Sequence, residues 1–125
     1  MRENDITEIA LKCAFKVHSA LGPGLLESAY EACMAHDLNK YNFQVSRQEG
    51  LPLVYETVKL ETGYRLDLWI DAKVILEIKS VEELNRLHFA QVLTYLRLTG
   101  CKVGLLLNFN VVSLKDGIKR IANHF

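Results

Sequence analysis

Cysteine, proline and charge of one dominant sign are all scarce in this sequence of 125 residues. The three cysteines, Cys13, Cys33 and Cys101, are odd in number and lack CxxC spacing, which indicates neither a disulfide framework nor a zinc knuckle. Fifteen basic and fifteen acidic side chains give a formal net charge of zero. Proteins that bind nucleic acid indiscriminately are usually basic, so any such role must depend on a local patch.

Long apolar segments are also missing. The N-terminal segment MRENDITEIA is charged and lacks the apolar core of a signal peptide, and no apolar run is long enough to span a bilayer. Half of the residues are nevertheless apolar, which suffices for a hydrophobic core. We therefore expect one domain, residues 1–125, in a reducing cytoplasm.

Apolar periodicity predicts the element order ααβββ(β)αβα, an α/β domain with a mixed sheet. Three helices are predicted, at residues 5–21, at about 25–40 and at 83–99. The first begins at a capping box formed by Asp5 and Glu8. The segment 44–80 is rich in β-formers and predicts strands, with breaks at Gly50 and Gly63.

The C-terminal quarter of the chain predicts two further elements. Residues 102–110, KVGLLLNFN, are almost all apolar and predict a strand buried on both faces. Residues 113–125 predict a short terminal helix.

The segment 65–79 predicts a β-hairpin with residues 71–73 at its turn. Even-numbered positions are apolar and predict one face in the core, namely Leu66, Leu68, Ile70, Val74, Leu76 and Ile78. Odd-numbered positions carry Arg65, Asp67, Trp69, Ile75, Glu77 and Lys79. A turn centred on Ala72 places Asp67 directly opposite Glu77, with Cβ atoms about 5 Å apart. Carboxylates this close repel each other unless a cation or a proton lies between them.

This carboxylate pair can be interpreted in two ways. Mg²⁺ binds proteins through one or two carboxylates, with waters and substrate phosphate completing its shell. Lys79, on the same face, could then hold or help to deprotonate an attacking water. The alternative is a solvated outer face on which Asp67, Glu77 and Lys79 form a salt bridge. On the pattern of the hairpin alone, the solvated outer face is the favoured interpretation.

Two helical segments carry further candidate residues. HFAQVLTYLRLTG places His88, Gln91 and Tyr95 on one side of the third helix. GPGLLESAY places Glu27 in the first turn of the second helix, with Tyr30 three residues later. A Gln-xxx-Tyr pair often only bridges a helix to a sheet, and an acidic residue at a helix start is common because of the helix dipole.

In their order along the chain, these segments resemble the PD-(D/E)xK nuclease superfamily, and more closely the small GxxExxY family. The GxxExxY motif is GLLESAY, residues 24–30, and the likeness continues through YRLDLWID, VILEIKSV and HFAQVLTYLRLTG to GLLLNF. The resemblance implies a restriction-endonuclease-like core, a mixed central β-sheet flanked by helices. Leu66 stands where the superfamily name has proline, a position that is commonly replaced.

The resemblance also implies roles for the matching residues. Asp67 and Glu77 look like the metal-binding carboxylates, with the backbone carbonyl of Ile78 as a third ligand. Lys79 looks like the catalytic lysine, and Glu27 like the helix acid that joins the outer shell of the metal. The implied cofactor is Mg²⁺ or Mn²⁺.

Four more positions complete the implied site. Gln91 and Tyr95 are similar to the QxxxY pair of RecB-like nucleases, which orients the lysine or the scissile strand. Arg65 and His88 are candidates for contact with substrate phosphate.

The expected activity is metal-dependent hydrolysis of phosphodiester bonds in nucleic acid, with DNA expected before RNA. The zero net charge predicts modest affinity for long nucleic acid or dependence on a partner, either a second copy of the chain or an accessory protein. The competing hypothesis is a binding or interaction module that retains the fold without catalysis. A nucleophilic hydrolase has little support, because Cys13 and Cys33 have no evident partner base and no Gly-x-Ser-x-Gly is present.

Overall fold

The computed structural model describes residues 1–124, in which five strands form one mixed sheet in the order β1-β2-β3-β4-β5. The strands are β1 (Val45–Tyr55), β2 (Val58–Ile70), β3 (Val74–Lys79), β4 (Val103–Asn108) and β5 (Ile118–Ala122). The helices are α1 (Glu3–Leu21), α2 (Glu27–Leu38) and α3 (Arg86–Thr99). Strands β3 and β4 are parallel and the other neighbours are antiparallel, so the predicted mixed sheet flanked by helices is confirmed.

The two faces of the sheet each cover a separate hydrophobic core. Helices α1 and α2 pack on one face and form the first core, and α3 packs on the other and forms the second core. Successive strand side chains point to opposite faces. Accordingly, Leu76 and Ile78 of β3 lie in the first core and Ile75 lies in the second. Because both faces are covered, β4 is buried along its whole length, as its apolar sequence predicts.

Helix α3 connects the two parallel strands β3 and β4 and lies close to the sheet. Gly104 of β4 has no side chain, and a Cβ atom there would lie 2.9 Å from Cγ1 of Val92. Glycine inside a strand often marks such a close approach. The tight packing of α3 fixes the side of the sheet from which its polar residues reach the end of β3.

The helix starts differ from the predictions. Helix α1 begins at Glu3, and the predicted Asp5–Glu8 capping box is wrong, since Asp5 lies inside the first turn and its carboxylate accepts a hydrogen bond from the Arg2 amide at 3.2 Å. Helix α3 begins at Arg86 instead of residue 83. The Asn85 side chain caps it, accepting a hydrogen bond from the Leu87 amide at 2.9 Å. A capping side chain defines a helix start more sharply than apolar spacing does.

The predicted breaks at Gly50 and Gly63 are also wrong, because both glycines lie inside long strands. Gly50 pairs with Arg65 across β1 and β2, and a Cβ atom on Gly63 would clash with the Leu53 side chain. The glycines therefore permit close contact between two paired strands, and the chain turns between Tyr55 and Val58.

The predicted C-terminal helix is wrong. Residues Leu114–Gly117 form a single 3₁₀ turn, and β5 then pairs antiparallel with β4. The three-residue spacing of Ile118 and Ile121 suits a helix. In a strand it places them on opposite faces, and here Ile118 packs on the first core and Ile121 on the second. The last residue of the predicted helix, Phe125, lies outside the described residues.

We predict that Gly117→Ala destabilises the domain by about 1–3 kcal/mol. A Cβ atom at Gly117 would clash with the backbone oxygen of Asn108, which cannot move without disturbing β4. Chemical denaturation of both proteins measures the difference in unfolding free energy. The control is Lys115→Ala in the same turn, where the side chain is exposed and the change should stay within about 0.5 kcal/mol. Equal stability of Gly117→Ala and wild type would contradict the packing described for this turn.

No helix within residues 1–124 combines the length and apolar character that a membrane span requires.

Candidate metal and catalytic site

The candidate site lies at the open end of the hairpin formed by β2 and β3. Leu68 pairs with Leu76 and Ile70 pairs with Val74, which centres the turn on Ala72 as the sequence predicts. Asp71 and Ala72 both have positive φ, 52° and 54°. Such values are uncommon outside glycine and are found in tight turns. This turn sets the register of the pairing, which runs to Leu68 and Leu76, the residues next to Asp67 and Glu77.

Beyond the Leu68–Leu76 pair, carboxylates replace backbone groups as hydrogen-bond partners between the two strands. The Asp67 amide donates to Oε2 of Glu77 at 2.8 Å, and the Ile78 amide donates to Oδ2 of Asp67 at 2.9 Å. Each carboxylate therefore reaches across to the opposite strand. Asp67 and Glu77 meet at the same end of the hairpin, as the register predicts.

The carboxylate of Glu77 is buried and has an unfavourable environment when it is ionised. Glu77 is only 3% exposed. Burial, together with the charge of Asp67, raises the pKa of Glu77 to about 8. Burial also raises the pKa of Asp67, with a further contribution from the charge of Glu31. The alternative of a solvated outer face is therefore wrong for Glu77. A nearby cation would favour the ionised forms and relieve this repulsion.

The donor atoms at this end of the hairpin fit a hard divalent cation. In a strand, the N–H and C=O of one residue point towards the same neighbouring strand. The Ile78 amide is directed at Asp67, so the Ile78 carbonyl also faces β2, beside the two carboxylates. Oxygen ligands of this kind are those that Mg²⁺ prefers, with waters completing the shell. No group of three or more His, Cys, Asp or Glu side chains within residues 1–124 is arranged to hold a metal by itself.

The side chain of Lys79 extends towards α3, which covers the second core. Its Nζ donates to Oε1 of Gln91 at 3.1 Å. Gln91 also hydrogen-bonds to Tyr95, one turn further along α3. Tyr95 stacks on Tyr64 of β2 with ring centroids 5.3 Å apart, and burial followed by the charges of Glu77 and Asp67 raises the pKa of Tyr95. The predicted Lys79, Gln91 and Tyr95 thus form one connected group beside the carboxylates.

Glu27 lies at the other side of the carboxylates, at the start of α2. Its Oε2 accepts a hydrogen bond from the Ser80 amide at 3.2 Å, which connects α2 to the residue that follows Lys79. Glu27, Asp67 and Ile78 line one open cavity of about 320 Å³. Although forty residues separate Glu27 and Asp67 along the sequence, the fold brings them to the same cavity.

Tyr30, the last residue of the GLLESAY segment, holds the start of α2 in place. Its hydroxyl donates to the Gly22 carbonyl at 2.6 Å and accepts from the Leu25 amide at 3.1 Å. Its ring is fully buried and stacks on Phe109 with centroids 4.6 Å apart. Tyr30 therefore fixes the loop that precedes Glu27 and does not itself line the cavity.

Sequence reasoning missed Ser28, Glu31 and Gln48, which line the cavity. It also missed Arg47, which forms an ion pair with Glu31 at 3.1 Å. Glu31 follows Glu27 by four residues, so helical spacing alone could have placed both on one face. Gln48 and Arg47 belong to no motif, and their position depends on the pairing of β1 with β2.

The two residues predicted to contact substrate phosphate lie outside this cavity. Arg65 is exposed on β2. His88 caps α3, because its Nδ1 accepts a hydrogen bond from the Asn85 amide at 3.0 Å. The structure gives neither residue a contact with the carboxylates, and their substrate role stays a prediction.

A family model described as the PD-(D/E)XK nuclease superfamily matches residues 4–121. Since this match covers nearly the whole chain, the protein belongs to the PD-(D/E)XK nuclease superfamily, whose members are usually nucleases. Comparisons with curated proteins and with solved structures give no match. The predicted superfamily is confirmed, and nucleic acid is the substrate class that it implies.

The raised pKa of Glu77 predicts how stability depends on pH in the absence of metal. In the folded state the pKa of Glu77 is about 8, whereas its ordinary value is 4.5. Between these values the folded state binds more protons, so the free energy of unfolding falls as pH rises, by at most about 1.4 kcal/mol per pH unit. The raised pKa of Asp67 acts with the same sign.

Urea denaturation in EDTA across this pH range measures the slope. Glu77→Gln removes the titrating group and should make the slope shallower. A matched change at an exposed carboxylate, Glu61→Gln, should leave the slope unchanged. An identical slope in wild type and Glu77→Gln would contradict the burial of this carboxylate.

Proposed function

We propose that this protein is a nuclease of the GxxExxY group that hydrolyses phosphodiester bonds with Mg²⁺ or Mn²⁺. The observation that carries the proposal is the reciprocal contact of Asp67 and Glu77 with each other's strand at the end of the hairpin. Two carboxylates whose pKa values are raised, beside a strand carbonyl, suit a divalent cation, which would favour their ionised forms.

The proposed ligands are Asp67, Glu77 and the Ile78 carbonyl, with Glu27 in the outer shell. A cation bound there supplies charge neutralisation for the phosphate and lowers the pKa of bound water. Glu27 contributes indirectly, because its bond to the Ser80 amide fixes the chain that follows Lys79. Groups that orient ligands in this way are usually important for metal affinity.

Lys79 supplies the positive charge that the reaction needs beside the cation. The Gln91 carbonyl oxygen accepts a hydrogen bond from Nζ and so holds the ammonium group in one place. A preorganised donor stabilises the transition state more than a mobile one, since it needs no reorganisation during the reaction. Tyr95 in turn holds Gln91, and its aromatic stack on Tyr64 fixes it to the sheet.

The substrate is proposed to be DNA before RNA, with Arg65 and His88 as outlying phosphate contacts. Zero net charge gives the chain little long-range attraction for a polyanion. We therefore expect modest affinity for long nucleic acid, or a partner that supplies the missing contacts, either a second copy or an accessory protein. The cytoplasm, where free cysteines stay reduced, is the proposed location.

Incubation with supercoiled plasmid, single-stranded DNA and RNA tests this function. We expect cleavage of at least one substrate with Mg²⁺ or Mn²⁺, none in EDTA, and much slower cleavage at the same metal concentration by a Glu77→Gln preparation purified in parallel. The parallel variant controls for contaminating host nucleases. Binding without cleavage under all metal conditions would favour the competing hypothesis, an interaction module that retains only the fold.

A further inference from the structure

Gln48 of β1 is the one residue that links Asp67 to α2 through its side chain, as far as residues 1–124 show. Its Nε2 donates to Oδ1 of Asp67 at 3.1 Å and to Oε1 of Glu31 at 2.5 Å. One amide nitrogen thus bridges two carboxylates that would otherwise repel each other. Neither of these contacts involves Lys79 or Glu77.

The partner on α2 is itself fixed. Glu31 is only 5% exposed, and Arg47 donates to its Oε2 from Nη2 at 3.1 Å and from Nε at 3.3 Å. Since Arg47 engages one oxygen and Gln48 the other, Glu31 provides a rigid anchor for the Gln48 amide. A buried carboxylate that is paired in this way holds its position well.

The backbone of Gln48 is also unusual. Its φ is 49°, in the left-handed region, although it lies within a strand. The pairs Arg47–Leu68 and Glu49–Leu66 flank it, so Gln48 stands opposite Asp67 in the register. Non-glycine residues keep such backbone angles mainly where the surrounding structure enforces them, often at functional sites.

Strand β2, which pairs with β1, is irregular at the same place. Leu66 was predicted on the same face as Leu68, yet it packs in the second core, whereas Leu68 packs in the first. The alternation of β2 is therefore interrupted at Asp67, opposite the left-handed Gln48. Irregular residues in a strand pair redirect side chains and occur next to active sites.

These contacts account for both oxygens of Asp67. The Ile78 amide holds Oδ2 and the Gln48 amide holds Oδ1, so the plane of the carboxylate is fixed from two sides. A carboxylate oxygen accepts more than one partner, so Oδ1 keeps capacity for a cation while Gln48 holds it. The side chain that determines its orientation comes from β1 and belongs to none of the motif segments.

We infer that Gln48 is a positioning residue that orients Asp67 for divalent-cation binding, through an anchor supplied by Glu31 and Arg47. The inference depends on the proposed function, because it concerns the same cation site. Residues that orient metal ligands typically change metal affinity by about 10–100-fold when they are replaced. Gln48 is itself exposed, so its replacement should act mainly on metal affinity, and the protein should still fold.

The test is Mn²⁺ titration followed by the electron paramagnetic resonance signal of the free ion. Gln48→Met has a similar shape but no donor, and its Mn²⁺ affinity should fall about 10–100-fold. The matched control is Gln44→Met, which replaces an exposed glutamine immediately before β1. It should bind Mn²⁺ as wild type does. Thermal melting without metal should give the wild-type value for Gln44→Met and a lower value for Gln48→Met, because Asp67 and Glu31 then repel each other without a bridging donor.

Gln48→Gly provides a second variant. Glycine adopts positive φ without strain, so this protein should melt at a higher temperature than Gln48→Met and still show the affinity loss. A residue with a merely structural role would instead lower the melting temperature without changing Mn²⁺ affinity in the folded protein.

Failure of the inference and failure of the proposed function give different results. If wild type binds Mn²⁺ and Gln48→Met binds it equally well, the positioning role is wrong and the cation site remains. If wild type binds no Mn²⁺, the proposed function is wrong and the positioning role falls with it.

Discussion

Replacing Lys79 with alanine should slow cleavage by about a hundred- to thousand-fold, equivalent to about 2.7–4 kcal/mol of lost transition-state stabilisation. Lys79 is placed beside the carboxylates and is held by Gln91 at 3.1 Å, so its charge is preorganised. Because Asp67 and Glu77 remain, Mn²⁺ affinity should stay close to that of wild type. Single-turnover cleavage with saturating metal measures the loss in the chemical step.

The matched control is Lys73→Ala, which removes an exposed lysine from the turn of the same hairpin. That protein should cleave at the wild-type rate. Raised metal concentration should not rescue Lys79→Ala, because its defect is not in metal binding. Undiminished cleavage by Lys79→Ala would show that this lysine takes no part in the reaction.

Replacing Glu77 with glutamine should produce the other large effect, and it should appear in metal binding. The change removes one of two proposed carboxylate ligands, so the loss of Mn²⁺ affinity should exceed the roughly 10–100-fold typical of residues that only orient ligands. Cleavage should fall with it and should recover in part as Mg²⁺ concentration is raised. A metal titration of the cleavage rate separates this behaviour from that of Lys79→Ala.

Glu77→Gln should also stabilise the metal-free protein near pH 8, since it removes a buried carboxylate whose ionisation is unfavourable. Loss of activity combined with gain of stability distinguishes a functional carboxylate from a structural one. Glu61→Gln, an exposed change on β2, should alter neither property. If Glu77→Gln keeps the wild-type metal requirement, Glu77 is not a ligand.

The hairpin of β2 and β3 could be predicted from sequence because two local rules agree there. Alternation fixed the faces of Leu68, Leu76 and Ile78, and the position of the turn fixed the register that brings Asp67 near Glu77. Helical spacing likewise placed Gln91 and Tyr95 on one side of α3. Each of these inferences needs only residues that are close in sequence.

Predicting that Glu27 approaches the hairpin required the family resemblance as well, because no local rule connects α2 with β3. In the structure that connection depends on hydrogen bonds from the Ser80 amide to Glu27 and from the Ser80 hydroxyl to the Leu25 carbonyl, and on Tyr30, which fixes the preceding loop. Such long-range contacts leave no periodic signal.

Other features were mispredicted or missed for the same reason. The spacing of Ile118 and Ile121 fits a helix and an edge strand equally well, and only the neighbouring β4 decides between them. The reversal at Leu66 and the contact of Gln48 with Asp67 depend on how β1 pairs with β2. At such positions, pairing with a neighbouring strand overrides local secondary-structure propensity and apolar spacing.

Anomalous diffraction from crystals soaked in Mn²⁺ tests the central claim most directly, because it locates the ion without reference to activity. The account predicts a peak at the end of the hairpin, bounded by the carboxylates of Asp67 and Glu77 and the carbonyl of Ile78, with Glu27 at its margin. The same soak of Glu77→Gln crystals should show that peak reduced or lost. A wild-type crystal with saturating Mn²⁺ and no peak between Asp67 and Glu77 would contradict the account.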